Sequence, residues 1–356
     1  MFSVIIPVYN ATKFLPQTVQ SLLDQNRDEL SIILVDDGSS DGSDALCDAL
    51  AAQHPQITAV HQKNSGVSVA RNTGIEYVLT HMPQVQYLAF LDADDLWTPD
   101  FLTADLVSQI ADQHYSIYAF GGVDCNFTAD RFAQPQVYAP SLTPGGQENM
   151  WKITTHFCAA FYHICLFRDH GIRFFPGYRY SEDKYFRLLC AYFAKDIAFM
   201  PQIMHIYRSN VSGAMQKVSK IKPIDYFLPI AEGWLKCEEF INQQLGPDTT
   251  DLGRVLANVY LLDMASEHCM RGGSLKKVMQ VISAHPQYPC LLEMKPMGEN
   301  DINYQKKELL LQHPLRFGLQ YRVKGLMRAP MRWVANLPMM TSFYQKRRFP
   351  FQTISR

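Results

Sequence analysis

A chain of 356 residues has room for two domains, or for one large domain with an appendage. At 47% hydrophobic and 19% charged it can bury a sizeable core, which excludes general disorder. The formal net charge of −1 gives no sign of a nucleic-acid partner, and none is expected.

Eight cysteines, at positions 47, 125, 158, 165, 190, 237, 269 and 290, form no CxxC pair and no regular spacing. They read as reduced, mostly buried thiols, with neither a disulfide framework nor a zinc site. The start runs directly into Phe2-Ser3-Val4-Ile5-Ile6-Pro7 without the regions of a signal peptide. No apolar run approaches the roughly eighteen residues of a membrane span. A cytoplasmic location is the expectation.

In chain order, residues 2–8 read as a strand ending at Pro7-Val8-Tyr9-Asn10. Phe14, Leu15, Thr18, Val19, Leu22 and Leu23 then recur at helical spacing, with Pro16 tolerable in the first turn. Ser31–Val35 is a second apolar strand, closed by Asp36-Asp37-Gly38-Ser39-Ser40-Asp41-Gly42-Ser43. Ser43 or Asp41 is expected to cap the helix that carries Leu46 and Leu50. Thr58–His61 is a third strand, and Asn64–Gly74 is a loop entering a helix that ends near Thr80. Alternating strands and helices predict a doubly wound α/β domain. No GxGxxG follows the first strand, so a dinucleotide fold of the dehydrogenase kind has no support.

Tyr87–Leu91 is a fourth apolar run, and it meets three carboxylates, Asp92, Asp94 and Asp95, within four positions. Carboxylates at the end of a central strand stand where open α/β sheets bind ligands. Asp92 and Asp94 alternate about Ala93, so extended backbone turns both to one side. Like charges so close call for a cation, and a hard divalent ion shared with substrate phosphates satisfies that need. The bland alternative is a loop whose Asp94 or Asp95 caps the next helix.

The series Val-Ile-Ile-Pro-Val-Tyr-Asn, Val-Asp-Asp-Gly-Ser-Ser-Asp-Gly, Asn-Ser-Gly-Val-Ser-Val-Ala-Arg-Asn-Thr-Gly and Leu-Asp-Ala-Asp-Asp resembles the family 2 inverting glycosyltransferases of GT-A fold, of the bacterial surface-polysaccharide type. Order and spacing agree over about residues 2–122, and a later segment extends the likeness to about 213. The resemblance implies a Rossmann-like, mostly parallel sheet binding a nucleotide-sugar donor, a UDP-sugar by expectation. Pro7, Tyr9 and Asn10 would line the nucleotide, with the Tyr9 ring on the base. In the resembled family the second aspartate of the Asp36-Asp37 pair accepts from the uracil imide, a role that falls to Asp37. Arg71 is expected to lean towards base or diphosphate, with a salt bridge to the Asp36/Asp37 loop as its rival. Asp92 and Asp94 are expected at the nucleotide, and Asp94 and Asp95 are the candidates for Mg²⁺ or Mn²⁺. That ion would neutralise charge on the departing diphosphate.

Residues 124–150, with Pro135, Pro140, Pro144 and Gly145-Gly146, read as an irregular insertion over the acceptor side. Tyr180-Ser181-Glu182-Asp183 then opens an amphipathic helix carrying Phe186, Leu189 and Phe193. This resembles the catalytic acidic pair of the family, with Asp183 as the base and Glu182 at acceptor hydroxyls or raising its neighbour's pKa. Acidity stabilising a helix N-terminus is the alternative. His205-Ile206-Tyr207-Arg208 resembles the closing segment, where Arg208 would clamp phosphate and His205 complete the metal shell.

The catalytic domain is expected over 1–215, with a helical appendage over 216–308. A basic amphipathic tail over 309–356 carries nine Lys/Arg and no Asp or Glu, interleaved with large apolar residues. That composition predicts peripheral association with an anionic membrane surface, the inner face of the plasma membrane. Pro314, Pro330 and Pro338 predict several short helices there. The acceptor is expected to be a hydroxyl of a glycan or of a lipid-linked acceptor. A nucleotidyltransferase would carry a Gly-rich basic loop after the first strand, which Pro7-Val8-Tyr9-Asn10 is not. A non-catalytic relative would have lost Asp183 or the Asp92–Asp95 cluster, and both are intact.

Overall fold

The computed structural model describes residues 1–124, 129–130, 136–138, 156–178, 180–208, 221–247, 249–295 and 301–335. Most of the insertion expected at 124–150, and the tail from 336 onward, lie outside the described residues. The described residues fall into two compact units, divided after Lys217, with Glu239–Thr250 returning to the first.

The first unit is a mixed α/β domain built on one sheet. Its strands are β1 (Phe2–Val8), β2 (Leu30–Asp36), β3 (Ile57–His61), β4 (Tyr87–Phe90), β5 (Leu96–Trp97), β6 (Ile117–Asp124), β7 (Ala129–Asp130), β8 (Gln136–Tyr138), β9 (Ala160–His163) and β10 (Ile197–Tyr207). The order is β3-β2-β1-β4-β9-β6-β10-β5, with β7 on β6 and β8 on β10. Pairing is parallel from β3 to β4 and between β6 and β10. Strand β9 runs antiparallel between those two blocks. Every residue of β2 is buried, as expected of a strand covered on both faces, and its centre, Ile32–Val35, is continuously apolar.

The helices of this unit are α1 (Leu15–Leu23), α2 (Ser43–Gln53), α3 (Val67–His81), α4 (Ala104–Gln113), α5 (Cys165–Arg168) and α6 (Glu182–Phe193). Helix α2 has Gly42 at its N-cap without a side-chain cap; Asp41 Oδ1 instead accepts from the Ser43 N–H at 3.0 Å. The cap of α4 is Thr103, whose hydroxyl accepts from Leu106 N. Asp94 and Asp95 therefore do not cap the next helix. Gly74 explains how closely α3 lies over β1: a Cβ there would come 2.4 Å from Ile5 Cγ2.

The chain leaves β1 outward through β2 and β3, then returns to the other side of β1 as β4. The carboxyl ends of β1 and β4 thus form a topological switch point, the crevice where open α/β sheets take ligands. Tyr9-Asn10 and Leu91–Asp95 emerge side by side from it.

The second unit is helical. Helix α7 (Pro223–Leu245) begins in it, followed by α8 (Leu252–Met270), α9 (Leu275–Ala284), α10 (Tyr288–Glu293), α11 (Ile302–Gln312) and α12 (Pro314–Ala335). Its core joins Ala257, Leu261 and Ala265 of α8 to Val278 and Ile282 of α9, Leu310 of α11, and Phe317 and Tyr321 of α12. The prolines do not break the tail as expected. Pro314 opens α12, where its missing N–H is already surplus, and the helix continues through Pro330 to Ala335 as one element. Among the described residues no helix is long and apolar enough to cross a membrane.

Candidate active site

The site is organised by a buried cation. Arg71, in the second turn of α3, is 2% exposed. Its Nη2 donates to Asp92 Oδ1 at 2.7 Å and its Nη1 to Glu182 Oε1 at 3.3 Å. Its guanidinium carbon lies 4.5 Å from the Phe157 ring centroid and 5.0 Å from that of Phe174. These are cation–π distances, and the rings exclude water from both pairs. Arg71 therefore turns neither to the Asp36/Asp37 loop nor directly to a base or diphosphate. A guanidinium this far from water is held by the carboxylates that face it, and two stand within reach.

The same helix positions the acidic pair. Asn72 exchanges two amide hydrogen bonds with the backbone of Phe174, at 2.8 and 2.9 Å, and Arg173 pairs with Glu76 at 2.7 Å. Phe174 stacks on Phe186 of α6 with centroids 4.0 Å apart and planes 6° apart. Phe90, two residues before Asp92, meets both rings edge-on. Ser181 turns into α6 with φ of 65°, a left-handed conformation rare for serine, which puts Glu182 and Asp183 in the first turn.

The carboxylates divide by environment. Burial alone would raise Asp92, but Arg71 outweighs it and holds this carboxyl below its usual range. Burial pushes Glu182 up, Arg71 offsets this in part, and adjacent Asp183 adds to the rise. Asp95 is 1% exposed, with Oδ2 at 2.8 Å from His205 Nε2 and Oδ1 accepting from Arg208 N at 2.8 Å. Both its oxygens are engaged in the described structure, Oδ2 with His205 and Oδ1 with the Arg208 backbone, so Asp95 orients His205. With Asp95 accepting, Nε2 carries the hydrogen and Nδ1 keeps the lone pair, the arrangement by which carboxylates orient metal-binding histidines. Asp94 is half-buried in the same loop, which Thr18 fixes by donating to Ala93 O at 2.9 Å. A carboxylate with an oriented imidazole fits a divalent ion.

On the nucleotide side, Tyr9 is 55% exposed beyond β1. Pro7 is half-buried at the end of that strand. Asn10 has φ of 51°, donates from N to Ser39 Oγ at 3.0 Å and accepts from Ser40 N at 2.8 Å. Asp36 accepts from Ser39 N at 3.1 Å and pairs with His61 at 3.3 Å. A hydrogen bond to Asp48, above all, raises His61 from its ordinary value. Asp37 accepts three hydrogen bonds, from Gln62 Nε2 at 2.7 Å and from Ser65 N and Gly66 N at 2.8 Å each. It anchors the loop that leads into Arg71. Arg208 donates from Nη1 to Gln17 at 2.8 Å and lies 5.4 Å from the Phe14 ring, while its buried Nη2 has no partner among the described residues.

Two residues escaped sequence reasoning. His156 stacks on His205 with centroids 4.9 Å apart, and Cys158 is fully buried beside Asp92 and Arg71. Protein atoms packed around the His156 ring lower its pKa by desolvation, although the residue as a whole is exposed. Neither residue has a local spacing motif, so no sequence signal marks them.

Residues 3–171 match the sequence model of Glycosyl transferase family 2. The chain is 27% identical over 221 residues to the glycosyltransferase EpsJ of Bacillus subtilis (strain 168), covering 59% of this chain and 61% of EpsJ. It is 36% identical over 106 residues to the minor teichoic acid biosynthesis protein GgaA of the same organism, covering 29% of this chain and 23% of GgaA. This chain thus spans about three fifths of EpsJ and under a quarter of GgaA. The S. aureus TarS 1–349 structure in complex with UDP-GlcNAc superposes with a TM-score of 0.61 at 16% identity, covering 91% of this chain and 88% of that one, a likeness of fold.

Replacing Arg71 by Met should leave Asp92 and Glu182 facing one another across a dry site. Breaking a buried pair from one side costs about 3–5 kcal/mol, measured as the shift in urea midpoint. Without the cation both carboxyls would have raised pKa values, so stability falls as pH rises. The deficit of Arg71→Met should therefore be larger at pH 8 than at pH 5, and a deficit independent of pH would contradict the pairing. In residues 3–171 the chain is thus similar in sequence to the glycosyltransferases of family 2.

Proposed function

We propose that the chain transfers a sugar from a nucleotide-diphosphate sugar, a UDP-sugar, to a hydroxyl of a glycan or lipid-linked acceptor with inversion, in surface-polysaccharide or glycolipid synthesis. The observation that carries this reading is that Arg71 binds Asp92, at the donor end of β4, and Glu182, beside Asp183, at once. Donor-side and acceptor-side carboxylates thereby share one cation. The names of TarS, in its complex with UDP-GlcNAc, and of GgaA, in teichoic acid biosynthesis, agree in substrate class.

In this reading Tyr9 lies against the base beside Pro7 and Asn10. Asp37 Oδ2 accepts one hydrogen bond in the structure and keeps a lone pair for the uracil imide. Asp92 orients the ribose end, and Arg208 turns its unpartnered Nη2 to the diphosphate. Mg²⁺ or Mn²⁺, held by Asp94 and His205, would neutralise charge on the leaving diphosphate. Asp183 takes the acceptor hydroxyl's proton as that oxygen attacks the anomeric carbon. The bond from that carbon to the diphosphate breaks, and its electron pair leaves on the phosphate oxygen. One displacement inverts the configuration. Glu182 holds the acceptor.

The deciding experiment is Asp183→Asn, which preserves shape and removes the base. The kcat should fall about 10²–10⁴-fold with UDP affinity within a few fold, and the native enzyme should lose turnover in excess EDTA. Unchanged kcat would remove Asp183 from the role of base, and full turnover in EDTA would remove the ion.

We also propose that α12 rests on an anionic membrane surface. Leu315, Leu319 and Val323 recur every fourth residue on its outer face, 86%, 66% and 46% exposed, while Phe317 and Tyr321 face the core. Exposed Arg316, Arg322 and Lys324 accompany them, the pattern of an interfacial helix. At about 1 kcal/mol per basic residue, Arg316→Gln with Lys324→Gln should weaken binding to phosphatidylserine vesicles about 30-fold. Equal sedimentation of native and variant protein would leave the stripe without a membrane role.

A further inference from the structure

We propose that His156, Cys158 and His205 form a binding site for a thiophilic divalent ion of the Zn²⁺ class, which shares His205 with the carboxylate-held ion of the transfer reaction and so competes with it. One donor atom from each of the three residues lies within 4.8 Å of one from each of the others. His156 and Cys158 come from the segment entering β9, and His205 from β10, strands in the same sheet. Two imidazoles and a thiolate are the donors that borderline and soft ions choose, whereas Mg²⁺ and Mn²⁺ prefer oxygen.

The surroundings suit a cation. Asp95 holds His205 at 2.8 Å through Nε2, which leaves Nδ1 as ligand and supplies the outer carboxylate that metal-binding histidines use. Gly122, opposite, has no side chain; a Cβ there would lie 3.6 Å from Nδ1. Asp92 and Asp95 add negative potential around the thiol. Tetrahedral bonds to nitrogen and sulfur place ligand atoms roughly 3.5 Å apart. Contracting from 4.8 Å needs a movement of about an ångström, and the ring of exposed His156 has to rotate out of its stack on His205, where the planes lie 22° apart, to aim its lone pair at the ion. On binding, the Cys158 S–H bond gives way to a sulfur–metal bond and the proton goes to solvent. Three protein ligands leave a fourth position for water.

Such an ion would withdraw His205 from the ion held at Asp94, a consequence that rests on the proposed transfer reaction; the site itself does not. Its test therefore uses neither donor nor acceptor. Full-length protein stripped by chelator is titrated with Co²⁺, and the thiolate-to-cobalt charge-transfer band is read. The native chain should develop the band, Cys158→Ser should abolish it, and Asp95→Asn should weaken cobalt about 10–100-fold. Asp94→Asn should leave the band intact. Melting by circular dichroism checks each fold; should Cys158→Ser fail to fold, His156→Gln, at an exposed position, decides by losing cobalt affinity at least tenfold. No band in the native chain, a band surviving in Cys158→Ser, unaltered affinity in His156→Gln, or loss of the band in Asp94→Asn would each overturn the assignment.

Discussion

Everything at this site depends on one desolvated guanidinium. A buried arginine is costly unless its neighbours return the lost hydration, and Arg71 obtains that from Asp92, Glu182 and two phenylalanine faces. The pairing spans |i−j| of 111 between Arg71 and Glu182, so it ties the end of β4 to the start of α6 across half the domain. Its worth is registry more than stability, because buried pairs commonly do little better than well-packed apolar replacements. Sliding α6 by one turn would strand a charge in a dry site. The aromatic contacts of Phe90, Phe174 and Phe186 fix that same register through packing, so two independent forces agree.

Most acidic residues of the motifs therefore work as scaffold. Asp36 and Asp37 bind the turn after β2 and the loop before α3, and Asp95 binds β10 through His205 and the Arg208 backbone. An ionised carboxylate accepts several N–H bonds at once, which is what loops without regular structure need at a sheet's edge. The same bonds aim the residues beside them. Asp37 holds the loop leading to Arg71, and Asp95 holds both His205 and the backbone of Arg208.

The strands and helices of the first unit were legible because the apolar runs and their turn residues are local features. β1 to β4, α1, α2 and the end of α3 fall within a residue or two of where the periodicity puts them, whereas α3 starts at Val67, inside the stretch 64–74 read as a loop. The partners of the charged residues were not legible. Arg71 lies beside the Asp36/Asp37 loop in sequence logic, yet its carboxylates come from β4 and α6, and only the folded sheet brings them together. Asp95 reads as a ligand because it follows Asp94; that its Oδ2 meets a histidine at |i−j| of 110 and its Oδ1 the Arg208 backbone is a tertiary fact. Cys158 gave no metal spacing for the same reason, its companion His205 lying on a different strand. In the second unit the prolines misled: Pro314 starts a helix, and Pro330 lies in a helix that Phe317 and Tyr321 already anchor in the core.

Arg71 donates to both carboxylates, but one positive charge offsets two negative ones unequally, and the opposite shifts of the two groups follow from that. Asp92, at the shorter distance, sits below its ordinary value of 3.8, so its contribution to stability is present above that pH and is lost as pH falls through the depressed value. Glu182 sits above its ordinary value of 4.5, so its burden is absent below that pH and grows as pH rises through the raised value. The triad is thus best matched to the fold near the mildly acidic range between them. Arg71 is engaged more closely by Asp92, at 2.7 Å, than by Glu182, at 3.3 Å, and the burial of Glu182 resists its charge. In the proposed reaction the attacking hydroxyl gives its proton to Asp183, and a neighbouring hydroxyl of the same acceptor that donates to Glu182 relieves that burden. In that proposal acceptor binding would offset the unfavourable burial of Glu182, which ties the Arg71 scaffold to the step proposed for Asp183.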